Sequence, residues 1–297
     1  MRTTKMQSPF FVLATLIVTS LGAQSIAHGD VPNSGDDFEK RARSLFDGEN
    51  LFGWQGDGFW FRVDDGAIVA GRLDRPIPHN QFLMFNESFG DFELRLEVRL
   101  IGIGDNAGVQ FRSRRPRAGE TIGKSDKPLP KTEMVGYQAD MGTAWGRSIW
   151  GALYDESRRR RMLAEPKTPF DVTRKPISLT TETEASDDQE AVKSNGSSST
   201  NDSSNNSASK GAMSNAAKSV ANQSSPAKRR DIFFETKWVR MRIICRGNRI
   251  QIFMDDVMTV DYTETDPDIA RQGHLALQIH SGPPAEAWYR NIRVLMR

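Results

Sequence analysis

An all-β fold, built as a sandwich of two antiparallel sheets, is predicted by three features of the sequence. Short runs alternate apolar and polar residues, as in Val109 and Phe111 against Gln110 and Arg112, and successive strand side chains point to opposite faces. Gly, Asp and Asn cluster between these runs, which is turn chemistry. No stretch in the first half of the chain carries a helical period. Clean alternation means one face in a core and one outside, which favours a sandwich over strands buried on both faces.

The N-terminus reads as an export signal over residues 1–27. Arg2 and Lys5 give a positive start, an apolar run covers 10–21, and Ser25-Ile26-Ala27 is a small-residue cleavage pattern, with a second cut after Ala23 left open. The apolar run is short for a membrane span, so the expected mature protein is periplasmic or extracellular with no membrane span. Its single cysteine, Cys245, continues the alternation of Val239, Met241 and Ile243, so it reads as a buried thiol in a strand, and stability must come from a core. The balance of 40 Lys and Arg against 38 Asp and Glu gives no basic excess for displacing counterions from phosphates, which argues against nucleic-acid partners.

After a polar segment over 28–42, one discontinuous domain is expected over 43–165 and 231–297. Strands are predicted over 60–63, 67–70, 81–85, 91–101, 107–113, 134–140 and 148–154. Phe92, Leu94, Leu96, Val98 and Leu100 form the core face of one; Glu93, Arg95, Glu97 and Arg99 form a wet outer face of paired charges. Residues 166–230 shift abruptly to Ser- and Asn-rich composition, which cannot bury enough apolar surface to offset ordering, and read as a disordered insertion. The Arg158 to Arg161 run before it could be an anion site, but a solvated loop edge is the favoured reading. Strands resume over 238–245, 250–254, 257–262, 273–280 and 287–295, bringing the set to about a dozen, as a sandwich or barrel requires.

Three strands each carry a glutamine followed, two residues on, by a charged or titratable group: Gln110 and Arg112, Gln138 and Asp140, Gln278 and His280. If they share a sheet, they make a polar, ligand-facing surface. Glutamine both donates and accepts, arginine donates through a rigid fork and aspartate accepts, a set that suits a hydroxyl-rich ligand. The candidate substrate-binding residues are Asn106, Gln110, Arg112, Tyr137, Gln138, Tyr154, Asp155 and Gln278. Asp140, His280 and Glu133 are the candidates for proton transfer. Trp145, Trp150 and Tyr154 could each cover a sugar ring or fill the core. No nucleophile elbow, phosphate-binding glycine loop, zinc motif or closely spaced glucanase carboxylate pair stands in convincing context.

The stretches Leu45-Phe46-Asp47-Gly48-Glu49-Asn50-Leu51-x-Gly53-Trp54, Gly90-Asp91-Phe92-Glu93-Leu94, Asn106 to Arg112, Gly136-Tyr137-Gln138-Ala139-Asp140 and Gln278-Ile279-His280-Ser281-Gly282-Pro283-Pro284 resemble the 3-keto-disaccharide hydrolase domain family, once called DUF1080. The resemblance implies a concanavalin A-like jelly-roll sandwich. It also implies hydrolysis, or C1–C2 elimination and hydration, of glycosides already oxidised at C3 by a partner oxidoreductase. Such chemistry needs a base at C2, an electrophile for the enolate oxygen and an acid for the leaving group. A divalent metal ion near Asp140 would supply the electrophile, although no ligand cluster marks one. Many relatives carry an acid immediately before the Tyr-Gln pair; this chain has Gly136 there, with Glu133 three residues earlier. The departure keeps a second class open, a non-catalytic carbohydrate-binding module. A third, a sandwich adhesion domain tethered by the serine-rich insertion, leaves the three polar pairs unexplained.

Overall fold

The structure, a computed structural model, describes residues 34–121, 127–178 and 232–297. The export signal expected over 1–27 lies outside the described residues. The chain divides into two units, the first ending at Arg41 and the second spanning Ala42–Arg297. In the first, the described residues form one short helix, Ser34–Arg41, with an Arg41–Asp37 ion pair one turn apart. No helix among the described residues is long and apolar enough to cross a membrane.

The second unit is a jelly-roll sandwich of two antiparallel sheets, as the alternation predicts. One sheet runs Val257–Thr263, Arg249–Met254, Val239–Arg246, Phe92–Gly102, Ala285–Met296, Ala67–Arg72 and Phe61–Asp64. The other runs Met162–Ala164, Leu153–Glu156, Val135–Ala144, Asn106–Arg114, Gly273–Ile279, Gln81–Phe89 and Trp54–Gln55. Neighbours in each sheet are often distant in sequence, as where Gly273–Ile279 sits between Gln81–Phe89 and Asn106–Arg114. This placement sets the three Gln-bearing strands side by side in one sheet.

The core lies between the sheets. Leu94, Leu96, Val98 and Leu100 from one side meet Val109, Phe111, Tyr137, Ala139, Leu277 and Ile279 from the other. Burying each large apolar side chain contributes about 1.5–3 kcal/mol, so the interleaved faces stabilise the sandwich without disulfides. Cys245 is buried in this core, where desolvation pushes its thiol up to about 12.

Several expectations need correction. The predicted strand over 148–154 is broken: Arg147–Ser148 and Leu153–Glu156 are separated by a turn in which Gly151 takes a φ of 75° and Ala152 donates back to Ile149. That turn drops Trp150 into the core. The insertion expected from 166 starts later. Lys167 donates its backbone N–H to Thr259 at 2.8 Å, Phe170 and Val172 pack on the core, and Arg174–Ile177 pairs with Phe233–Thr236. These few apolar residues, spaced among prolines and charges, are enough to dock the segment. Residues 179–231, the bulk of the Ser/Asn-rich stretch, lie outside the described residues. Finally, Glu93 on the supposed wet face is only 1% exposed, roofed by Arg95, Arg297 and Arg242.

Candidate functional site

The site lies on the face of the second sheet that is turned away from the core. On Val135–Ala144, Tyr137, Ala139 and Met141 enter the core, so parity sends Gln138 and Asp140 outward. Register sets Gln138 between Gln110 and Tyr154, and Asp140 beside Gly108. The glycine is required: a Cβ at Gly108 would stand 2.6 Å from the Gln138 side chain. Gly136 lies opposite Glu156 in register, and a Cβ there would collide with Ser113.

A chain of hydrogen bonds fixes the amides. Ser113 Oγ donates to Gln110 Oε1 at 2.5 Å, Gln110 Nε2 to Gln138 Oε1 at 3.0 Å, and Gln138 Nε2 to Asp140 Oδ1 at 2.8 Å. Above it opens a cavity of about 380 Å³. Asn106, Gln138, Asp140, Tyr154 and His280 line it as expected, and so do Asn80, Trp145, Glu156 and Arg160. Asn80 Oδ1 accepts from the backbone of Ser281, and the backbone N–H of His280 donates to Asn106 O, which together seat the histidine. The His280 Nδ1 lies 2.7 Å from the carbonyl of Ser281; a carbonyl only accepts, so Nδ1 is the donor, and in the uncharged tautomer Nε2 is left as an acceptor.

Acidic groups crowd here with little compensation. Burial raises the Asp140 carboxyl well above its usual range, against the Gln138 hydrogen bond and with the help of the Glu156 charge. Glu156 is raised chiefly by burial, opposed by the nearby His280. Glu133 stands just outside the cavity lining, joined to Glu156 through the Ser157 hydroxyl, 3.1 Å from Glu133 Oε1 and 3.4 Å from Glu156 Oε1. Burial, and then the Glu156 charge, lift Glu133 to about 7. Neighbouring carboxyls with raised pKa values in a buried pocket suit acid–base chemistry.

Three predicted ligands are elsewhere. Arg112 was expected beside Gln110, but a bulge between Phe111 and Arg114, with Arg112 at a φ of 46°, breaks the alternation. Ser113 takes the place next to Gln110, while the Arg112 guanidinium is buried against Asp91 and the carbonyls of Gly90 and Gly247. Tyr137, one residue from Gln138, faces the core, stacked 5.7 Å from Phe111 with its hydroxyl donating to Glu264. Asp155 likewise alternates with Tyr154 and Glu156 and is fully buried between Arg158 and Arg159. Gln110 and Gln278 are on the right face but beneath the cavity: Gln110 holds Gln138, and Gln278 Nε2 reaches Glu156 at 3.4 Å while its side-chain Oε1 has no partner among the described residues. Among the described residues no group of three or more His, Cys, Asp or Glu side chains is placed to hold a divalent ion near Asp140.

Asn80, Glu156 and Arg160 were missed. Glu156 follows Tyr154 by two residues, the spacing that marked Gln138 and Asp140, and parity alone would have found it. Arg160 depends on a tight turn, in which its backbone N–H donates to Asp155 O, Asp155 N–H donates to Arg161 O and Arg160 takes a φ of 49°, that sequence spacing does not disclose.

Residues 41–295 match the model of a family described as the 3-keto-alpha-glucoside-1,2-lyase-like domain. No curated protein matches the sequence. Among solved structures, the chain is similar to a candidate glycosyl hydrolase of Parabacteroides distasonis, at 12% identity and a TM-score of 0.45 over 87% of this chain and 95% of that one. It is also similar to the carbohydrate binding module CBM66 of Bacillus subtilis, at 15% identity and 0.43 over 82% and 96%. A β-glucanase of Bacillus licheniformis follows at 9% identity and 0.42, over 86% and 99%.

Proposed function

Because the chain belongs to the 3-keto-alpha-glucoside-1,2-lyase-like domain family, and so has a carbohydrate-related function, we propose that it cleaves glycosides already oxidised to a ketone at C3. The observation that supports this most is the gathering of Asp140, Glu156 and His280 around one sugar-sized polar cavity. A C3 ketone acidifies the C2 hydrogen. The His280 Nε2 takes that proton, the C2–H pair becomes a C2=C3 bond, and the C3 carbonyl pair moves to O3 as an enolate. The enolate collapses, the C1–O bond breaks, and the leaving oxygen takes a proton from the Asp140 carboxyl, whose raised pKa suits an acid. Water can then add across the resulting alkene, which makes the net reaction hydrolysis. Asn106 and Gln138 hold ring hydroxyls, and Tyr154 and Trp145 form an aromatic wall.

The purified protein is expected to release the C1 group from a panel of 3-keto-glucosides. Binding of unmodified glycans with no turnover of that panel, under conditions where a verified family member turns it over, would falsify the proposal in favour of a binding module. The substrate implies an oxidoreductase that oxidises the C3 hydroxyl beforehand. We further propose export, on the positive start and apolar run of residues 1–27. Recovery of a mature protein beginning after Ala27 or Ala23 supports it; a mature protein retaining Met1 overturns it.

A further inference from the structure

The cleavage chemistry leaves one role unfilled: a positive group to receive the negative charge that develops on O3. Arg112, the cationic member of the substrate-binding candidates, is buried against Asp91. The four-arginine run that reads as a loop edge divides in the structure into clamped and free members. Arg158 Nε binds Asp155 at 2.8 Å, and Arg159 binds Asp155 and reaches Glu264 at 2.6 Å. Arg160 differs from both: its left-handed backbone turns it to the cavity, it lines the wall with Asp140, Glu156 and His280, and its guanidinium makes no hydrogen bond or ion pair among the described residues. Its charge acts on Glu156 and Glu133 through space only, so its donors stay available for the charge that the reaction makes.

We infer that Arg160 is the electrostatic partner of the C3 oxygen, neutral as a ketone in the ground state and anionic as the enolate. This rests on the 3-keto-glycoside reading. The planar fork donates to O3 as the C2 proton leaves for His280 and the electron pair arrives, and it releases O3 when C1–O cleavage restores the carbonyl. An interaction that strengthens only as charge develops lowers the barrier without tightening substrate binding.

The test compares full-length wild type, Arg160→Ala and Arg160→Lys on a neutral 3-keto-glucoside, with kcat and KM measured separately and exchange of the C2 hydrogen followed in D₂O. Arg160→Ala is expected to lower kcat and C2 exchange by about 10²–10³-fold with KM little changed, the cost of losing one oxyanion donor. Arg160→Lys should recover part of the rate, and added guanidinium ion should raise the rate of the alanine variant. Because Arg160 is exposed and unpaired, melting temperatures should stay together, which separates chemistry from folding. An alanine variant with unchanged kcat, or with a raised KM alone, overturns the inference. A fall confined to glycosides bearing a carboxylate does so as well, since it makes Arg160 a selector of acidic sugars. An inactive wild type overturns the functional reading and this inference together, whereas an active wild type with an equally active alanine variant overturns this inference alone.

Discussion

Two sheet faces of this molecule have the same pattern in sequence and opposite electrostatics in space. On the outer face of Phe92–Gly102, each of the two acids meets arginine: Glu93 is held by Arg95 and Arg297, and Glu97 by Arg290. On the outer face of Val135–Ala144 and Leu153–Glu156, Asp140 and Glu156 stand beside amides and each other, with carboxyl pKa values driven up by burial. Compensated charge holds strands in place. Uncompensated charge on a rigid sheet costs stability and is kept where a ligand or a proton completes it.

The comparison breaks most sharply under single substitutions. Glu156→Gln and Asp140→Asn are expected to lower kcat on a 3-keto-glucoside by about 10²–10⁴-fold, the range for losing a positioned acid or base. Both should melt no lower than wild type, since they remove buried repulsion. A variant that unfolds early would place these carboxyls with the structural charges instead. On the other face, Glu93→Ala leaves three arginines over a vacated site and should cost about 3–5 kcal/mol in urea unfolding, with kcat per folded molecule unchanged.

How far the sequence disclosed this division depends on backbone regularity. The two sheets, the core faces and the gathering of Gln138, Asp140, Asn106 and His280 follow from alternation and were legible. Tyr137 and Asp155 were misplaced although parity with Gln138 and Tyr154 excludes them from the same face. Arg112 could not be placed by parity, because one bulge resets it, and Arg160 needs a left-handed turn whose residues carry no glycine signal. Depth was also invisible: Gln110 and Gln278 are on the predicted face yet serve as its floor.

Glu133 connects the two kinds of charge, and its pH behaviour sharpens the contrast. Its carboxyl, ordinarily 4.5, is lifted to about 7 in the fold, so between these values the folded chain binds a proton that the unfolded chain has released. Its stabilising contribution is full below pH 4.5 and is lost as pH rises through about 7. At one pKa unit per 1.36 kcal/mol, the loss is at most about 3 kcal/mol. Glu133→Gln should flatten the stability profile over this window and leave the protein more stable than wild type at pH 8. A steeper profile in the variant would contradict the assignment.

The smallest effect concerns two exposed aromatics. Phe59 lies under the guanidinium groups of Arg72 and Arg75, at 4.9 and 5.1 Å, so part of its ring is already covered. Trp145 is 69% exposed at the cavity mouth, tilted 42° against Tyr154. It occupies, with Gly146, the centre of a two-residue hairpin loop in which both φ values are positive, 50° and 74°. Such a turn favours Asn-Gly, and a bulky side chain there is strained by about 1 kcal/mol or more. A tryptophan retained at that cost, facing the cavity, is explained by a sugar face lying on its ring. Trp145→Asn should therefore raise thermal stability slightly, by about 0.5–1 kcal/mol, while raising KM several-fold, which corresponds to an aromatic contact of about 1 kcal/mol, with kcat retained. Phe59→Ala should leave KM alone. Equal KM values for both variants and wild type would return Trp145 to the class of incidental surface aromatics, and its strain would then have no ligand to account for it.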